Sequence, residues 1–198
     1  IQYLATARTD EGGSADLLEF SLYTKALNEL NTERKLSRPL QNIFNSEEEI
    51  DYELKKMAND ATQSDIYRRC CKVMIRVLSL NASKNFLWEI DQEMYPDYYS
   101  IIIRPLMFAN VATNVITKAY ETSNATDERV AYYHIANEFL QDLRQVCLNC
   151  IVFSTELPLV VAQAQKLLLT IHRLVDRWIF STSRPELAEC DEGFCLLT

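Results

Sequence analysis

The stretch Tyr95-Pro96-Asp97-Tyr98-Tyr99-Ser100-Ile101-Ile102-Ile103-Arg104-Pro105 decides the reading of this chain. It is dense in tyrosine and isoleucine, and it sits inside a gap of about 26 residues, Asn81 to Leu106, between two helical patterns. In a compact domain a connection that long is functional or disordered. Phe86, Leu87, Trp88, Ile90, Met94, Tyr95, Tyr98, Tyr99, Ile101, Ile102 and Ile103 make it too apolar and aromatic for disorder. It must therefore fold onto its neighbours and bury side chains. A large aromatic loop capping one end of a helical bundle is a natural wall for an apolar pocket.

The flanks are helical. Upstream, Ile66, Cys70, Val73, Val77 and Leu80 step by four, three, four and three, which is one helical face. Downstream come Phe108, Val111, Val115 and Ala119, and then Ala136, Phe139, Leu143, Val146, Cys150 and Phe153. The last set is Val160, Ala164, Leu167, Ile171, Leu174 and Trp178, after Pro158 near a helix start. Four amphipathic helices of this kind pack as a bundle. Further upstream, Ser14 can cap a helix running to about Leu36, with Leu18, Leu22, Ala26 and Leu30 on one stripe, before Arg38-Pro39 interrupts it. Ser46 with Glu49 forms a capping box, and Glu47-Glu48-Glu49 suits a helix N-terminus; Ile50, Leu54 and Met57 follow. Residues 1–60 are thus an N-terminal helical extension, 64–180 the bundle, and 181–198 a tail.

Composition agrees. Only Gly12, Gly13 and Gly193 occur among 198 residues, all near the ends. A long glycine-free stretch cannot supply many tight hairpins or a phosphate-cradling loop. An all-α fold is expected, not a sheet-rich or nucleotide-binding βαβ fold. The net charge of −8 argues against non-specific nucleic-acid binding, and no direct nucleic-acid binding is expected from this fragment. The acidic surface is read as solvated. No apolar run reaches the roughly 18 residues of a membrane span. The chain begins at Ile1 without a methionine and is read as a fragment, so missing targeting signals carry no weight. Cys70, Cys71, Cys147 and Cys150 lie inside apolar helical patterns and act as small core residues, which favours a reducing compartment. Cys190 and Cys195 are two of the four ligands a structural zinc needs. They are read as unpaired thiols in the tail, with the start of a truncated zinc finger as the alternative. His134 and His172 have no cysteine or carboxylate cluster at ligand spacing, so neither a metal site nor a cofactor is expected. No nucleophile-elbow, zinc-protease or phosphate-loop pattern occurs, so no catalytic residue is assigned and no enzyme is expected.

The decisive stretch resembles the bromodomain signature, a P-D-Y-Y followed by I-I-x-x-P. Upstream, Phe86-Leu87-Trp88-Glu89-Ile90-Asp91 resembles the family's F-x-x-P-V-D shelf. Downstream, Asn149-Cys150-Ile151-Val152-Phe153-Ser154 resembles the N-C-x-x-Y-N that ends the third helix. The resemblance covers about residues 64–180. It implies a left-handed four-helix bundle with a long first interhelical loop and a non-enzymatic, nuclear chromatin reader that docks acetylated lysine on a histone or other protein tail. Carried over residue by residue, Phe86, Ile90, Tyr95 and Phe153 would wall the acetyl-lysine slot, and Tyr98 would hold a water. Val160 would stand at the gatekeeper position. Tyr99, Asn149 and Cys150 would be structural. Ser154 stands where the family has its anchor asparagine, Phe153 replaces a tyrosine, and Leu106-Met107-Phe108 lacks the usual aspartate. Serine keeps a donor but is shorter than asparagine, so docking is expected to be weak. The alternative is a degenerate bromodomain acting as an interaction scaffold without acetyl-lysine binding.

Overall fold

A computed structural model describes residues 41–121 and 127–181, together with Lys25. The first long helix, α1 (Glu47–Asn59), starts where the sequence places a cap. Ser46 Oγ accepts from the Glu49 N–H at 3.2 Å. The Glu49 carboxylate reaches back one residue further than a capping box requires, to the N–H of Asn45 at 3.0 Å. Ile50, Leu54 and Met57 are buried, as their spacing predicts. Asp60 ends the helix and folds the turn that follows. Its carboxylate accepts from the Thr62 N–H (2.9 Å), the Thr62 hydroxyl (2.7 Å) and the Gln63 amide (3.0 Å).

Helix α2 (Asp65–Leu78) buries Ile66, Cys70, Val73 and Val77 on the expected stripe. Tyr67, Cys71 and Met74 are buried beside them, because α1 packs along α2 and widens its covered face. The long connection contains a 3-10 turn (Asn81–Phe86) and a single-turn helix α3 (Tyr98–Ile101). It leads into α4 (Phe108–Ile116), where Asn110 Oδ1 accepts from the Met107 N–H at 2.8 Å. Asn110 Nδ2 also donates to the Gln41 carbonyl (3.1 Å), and the Ile43 N–H donates to Thr113 Oγ1 (3.3 Å). These bonds tie the segment before α1 to α4.

Helix α4 stops earlier than its stripe suggests. Lys118 adopts φ 56°, its N–H bonds Val115 O at 3.2 Å, and the Ala119 N–H bonds Asn114 O at 2.9 Å. This paired motif needs a left-handed residue, ordinarily glycine. In a stretch without glycine a lysine takes the position, and Ala119 falls outside the helix. Helix α5 (Glu128–Phe153) is capped by Asp127, whose carboxylate accepts from the Arg129 N–H at 2.7 Å. Helix α6 (Pro158–Val175) starts on Pro158 and runs into a π turn (Asp176–Phe180). Its buried stripe follows Ala164, Leu167 and Ile171 as expected, then moves to Val175 and Ile179 instead of Leu174 and Trp178. The π turn, with its i→i+5 bonds, takes more residues per revolution, so steps of four stay on one face.

The described residues contain no strand and form an all-α bundle. One hydrophobic core runs from Phe44 to Ile179 and includes the apolar face of α1. Among the described residues, no helix is long and apolar enough to cross a membrane. No cluster of three His, Cys, Asp or Glu there could hold a metal ion. The helix expected from Ser14 to Leu36 and the tail with Cys190 and Cys195 lie outside the described residues.

Candidate functional site

The aromatic loop is held in place by a buried charge. Asp142, on α5, is fully buried. Arg104 Nη1 donates to its Oδ1 at 2.9 Å, while Asn114 Nδ2 (3.1 Å) and the Tyr120 hydroxyl (2.9 Å) donate to its Oδ2. A carboxylate survives in a core only when paired and hydrogen-bonded in this way. Arg104 belongs to the decisive stretch, and its carbonyl accepts from Asn149 Nδ2 at 2.8 Å. Asn149 Oδ1 in turn accepts from Gln145 Nε2 at 2.7 Å. The loop is thereby clamped to α5 at two levels, by the side chain of Arg104 and by its backbone. Both Asn149 and Cys150 are buried, as structural residues should be.

This clamp presents a ring cluster. Tyr98, on α3, is buried, and its ring meets Phe153 edge-on at 4.9 Å and Tyr99 at 5.3 Å. Tyr95 also meets Phe153 edge-on, at 6.2 Å. Such pairs add about 0.5–1.5 kcal/mol beyond area burial. Burial pushes the Tyr98 phenol well above its usual range, with Tyr99 and Cys150 adding to it, while a hydrogen bond from the Asn149 side chain opposes the shift. Tyr98 thus keeps its proton. The Tyr99 hydroxyl donates to the Ile90 carbonyl at 2.7 Å and pins the backbone of the shelf.

Ser154 closes α5. Its backbone leaves the helix at φ −93°, ψ 31°, its N–H bonds Cys150 O at 2.8 Å, and its carbonyl accepts from the Leu157 N–H at 2.8 Å. The half-buried side chain accepts only a long contact from Cys150 Sγ, 3.8 Å. Burial raises the Cys150 thiol pKa, and the Ser154 hydroxyl opposes the shift. Among the described residues, Cys150 Sγ is the one side-chain partner of the Ser154 hydroxyl.

Of the predicted site residues, the structure brings Tyr95, Tyr98 and Phe153 into one cluster, with Ser154 following Phe153. Phe86 is buried with its ring edge-on to Phe108 at 6.5 Å. Ile90 is half-buried against the core, and Val160 is half-buried in the first turn of α6. Asn85 Nδ2 reaches Gln163 Oε1 at 3.5 Å, which sets the 3-10 turn carrying Phe86 beside α6. The loop does not bury all its apolar side chains. Phe86, Leu87, Tyr98 and Ile102 are buried, whereas Met94 is 70% and Ile103 73% exposed, and Tyr95 and Ile101 are half exposed. One helical turn and a few bends can hide only one side of a chain, so the other forms an apolar rim.

The Asp142–Arg104 clamp is absent from the sequence reading. Its signal was there: Asp142 falls on the face of Phe139, Leu143 and Val146, and a charge on a buried face requires a partner. Arg104, the one arginine within the aromatic loop, is that partner.

Residues 70–166 match the family model of the bromodomain. Among solved structures, the bromodomain from human BAZ1A is similar at 18% identity and a TM-score of 0.46, over 58% of this chain and 92% of that one. Comparison with curated proteins finds no match. The family match begins within α2, takes in the whole aromatic loop with α4 and α5, and ends within α6.

Proposed function

We propose that this domain is a non-enzymatic chromatin reader that docks acetylated lysine of a histone or other protein tail, weakly, in the nucleus. The single observation that carries the reading is the half-buried Ser154 hydroxyl, whose one side-chain contact among the described residues is the distant Cys150 sulfur, beside the ring cluster of Tyr95, Tyr98 and Phe153. An acetylated lysine offers an apolar stem, a methyl group and one carbonyl. Phe86, Ile90 and Val160 complete the apolar walls. Ser154 donates to the carbonyl, directly or through a water, and Tyr98 holds a water with its O–H. The donor is one bond shorter in reach than an asparagine amide, so affinity is low.

Calorimetric titration with a multiply acetylated histone peptide tests this. Wild type should bind weakly and the unacetylated peptide not at all. Ser154→Asn should restore a side-chain amide and gain about 0.5–1.5 kcal/mol, roughly three- to tenfold. Ile90→Asp should abolish binding by setting a charge against the apolar stem. If no folded variant binds, Ser154→Asn included, the domain is an interaction scaffold and the reader reading is wrong.

A further inference from the structure

The chain has 28 acidic and 20 basic residues, yet one face of α2 is basic. Arg68, Lys72 and Arg76 follow one another at steps of four, with Arg69 beside the first. Steps of four set side chains in a line, about 6 Å apart along a helix. Between this line and Trp178 in the π turn lies a surface cavity of about 600 Å³. Ile75 and the Trp178 indole supply its apolar floor, both half-buried. Arg69 Nη1 donates to the Trp178 carbonyl at 2.9 Å and fixes that wall to α2.

The basic rim is only partly neutralised. Asp65 pairs with Arg69 and, at 3.4 Å, with Arg68. Arg68 Nε is buried without an acceptor among the described residues. Among the described residues, Arg76 Nη1 reaches only the Ser79 hydroxyl, at 3.3 Å. Neither Lys72 nor Arg76 has a carboxylate partner among the described residues.

We propose that this groove docks an acidic peptide segment of a partner protein that carries one apolar anchor side chain. The carboxylates meet Arg68, Lys72 and Arg76, and the anchor enters between Ile75 and Trp178. Two observations favour a peptide over a nucleic acid. The net charge of −8 repels an extended polyanion at long range. The cavity is of side-chain size with an apolar floor, where a strand of nucleic acid needs a basic track and repeated stacking platforms. The groove is also separate from the acetyl-lysine slot. Trp178 follows Val160 by 18 positions along nearly continuous helix, roughly 27 Å at the helical rise.

Fluorescence anisotropy of the full chain with a labelled dodecapeptide, aspartate and glutamate around one central phenylalanine, tests the proposal. Wild type should bind at low salt and lose affinity as salt is added. The double variant Lys72→Glu, Arg76→Glu should bind at least tenfold more weakly with an unchanged melting temperature, since both side chains are exposed. Replacing the peptide's phenylalanine by alanine should also cost at least tenfold, and Tyr98→Phe should change nothing. Absence of binding to wild type at millimolar peptide, equal binding by the double variant, or indifference to the anchor would each overturn it. Tighter binding of a single-stranded DNA dodecamer that displaces the peptide would overturn it in favour of a nucleic-acid site.

Discussion

At the scale of single residues, Asp142 and Ser154 lie on the same helix and have opposite expected consequences. Asp142 has both oxygens filled by three donors and no solvent exposure. Asp142→Ala removes the acceptor and leaves Arg104, Asn114 and Tyr120 facing a gap. Breaking a buried pair from one side costs about 3–5 kcal/mol, and urea denaturation should read that loss. Ser154 contributes one long contact with a thiol, so Ser154→Ala should change stability by less than about 0.5 kcal/mol while abolishing what acetyl-lysine binding exists. Equal destabilisation by the two variants would make Ser154 a structural residue. The four described cysteines complete this scale. Cys70, Cys71, Cys147 and Cys150 are buried, and burial pushes Cys71 up to about 12. All four should resist alkylation in the native protein at pH 8 and label at once in denaturant, as peptide mapping would show.

At the scale of elements, local chemistry made some features legible and concealed others. The stripes of α2, α4 and α5, the Ser46 cap and the Pro158 start rest on bonds or burial periods within a few residues, and sequence carries them directly. Ala119 was misplaced because the helix end depends on Lys118 accepting a left-handed φ that lysine does not favour. The interior of the aromatic loop was not legible, because its anchors come from 38 and 45 positions along the chain, in Arg104–Asp142 and Asn149–Arg104. The Asp60 turn joining α1 to α2 gives a test with a sign. Hydrogen bonds from Gln63 and Thr62 lower its carboxyl from 3.8 to about 2. A depressed pKa stabilises the folded chain above the unfolded value, and that contribution is lost as pH falls through the folded one. The stability gap between wild type and Asp60→Asn should hold constant above about pH 5 and close as pH falls toward 2.

At the scale of the whole molecule, the question is whether α1 is an accessory or part of the folding unit. Leu54 and Ile50 are fully buried, and they share one core with α2, α4, α5 and α6. A core that crosses between elements couples their stabilities, and domains of this size ordinarily unfold in one step. Leu54→Ala leaves a cavity and costs about 2–5 kcal/mol, a large share of the 5–15 kcal/mol typical of a domain. The consequence should appear far from α1. Trp178, whose carbonyl is held by Arg69 at the other side of α2, reports the bundle. In a Trp88→Phe background, its fluorescence transition in urea should move with the far-UV circular dichroism transition, both shifted equally by Leu54→Ala. If the Trp178 transition stays in place while helicity is lost earlier, α1 melts on its own and the bundle stands without it. Coincident shifts would mean that the bundle is held up by a helix outside the matched residues 70–166, and that a truncation at Cys70 would lose the covering of α2 and, with it, the ordered aromatic loop.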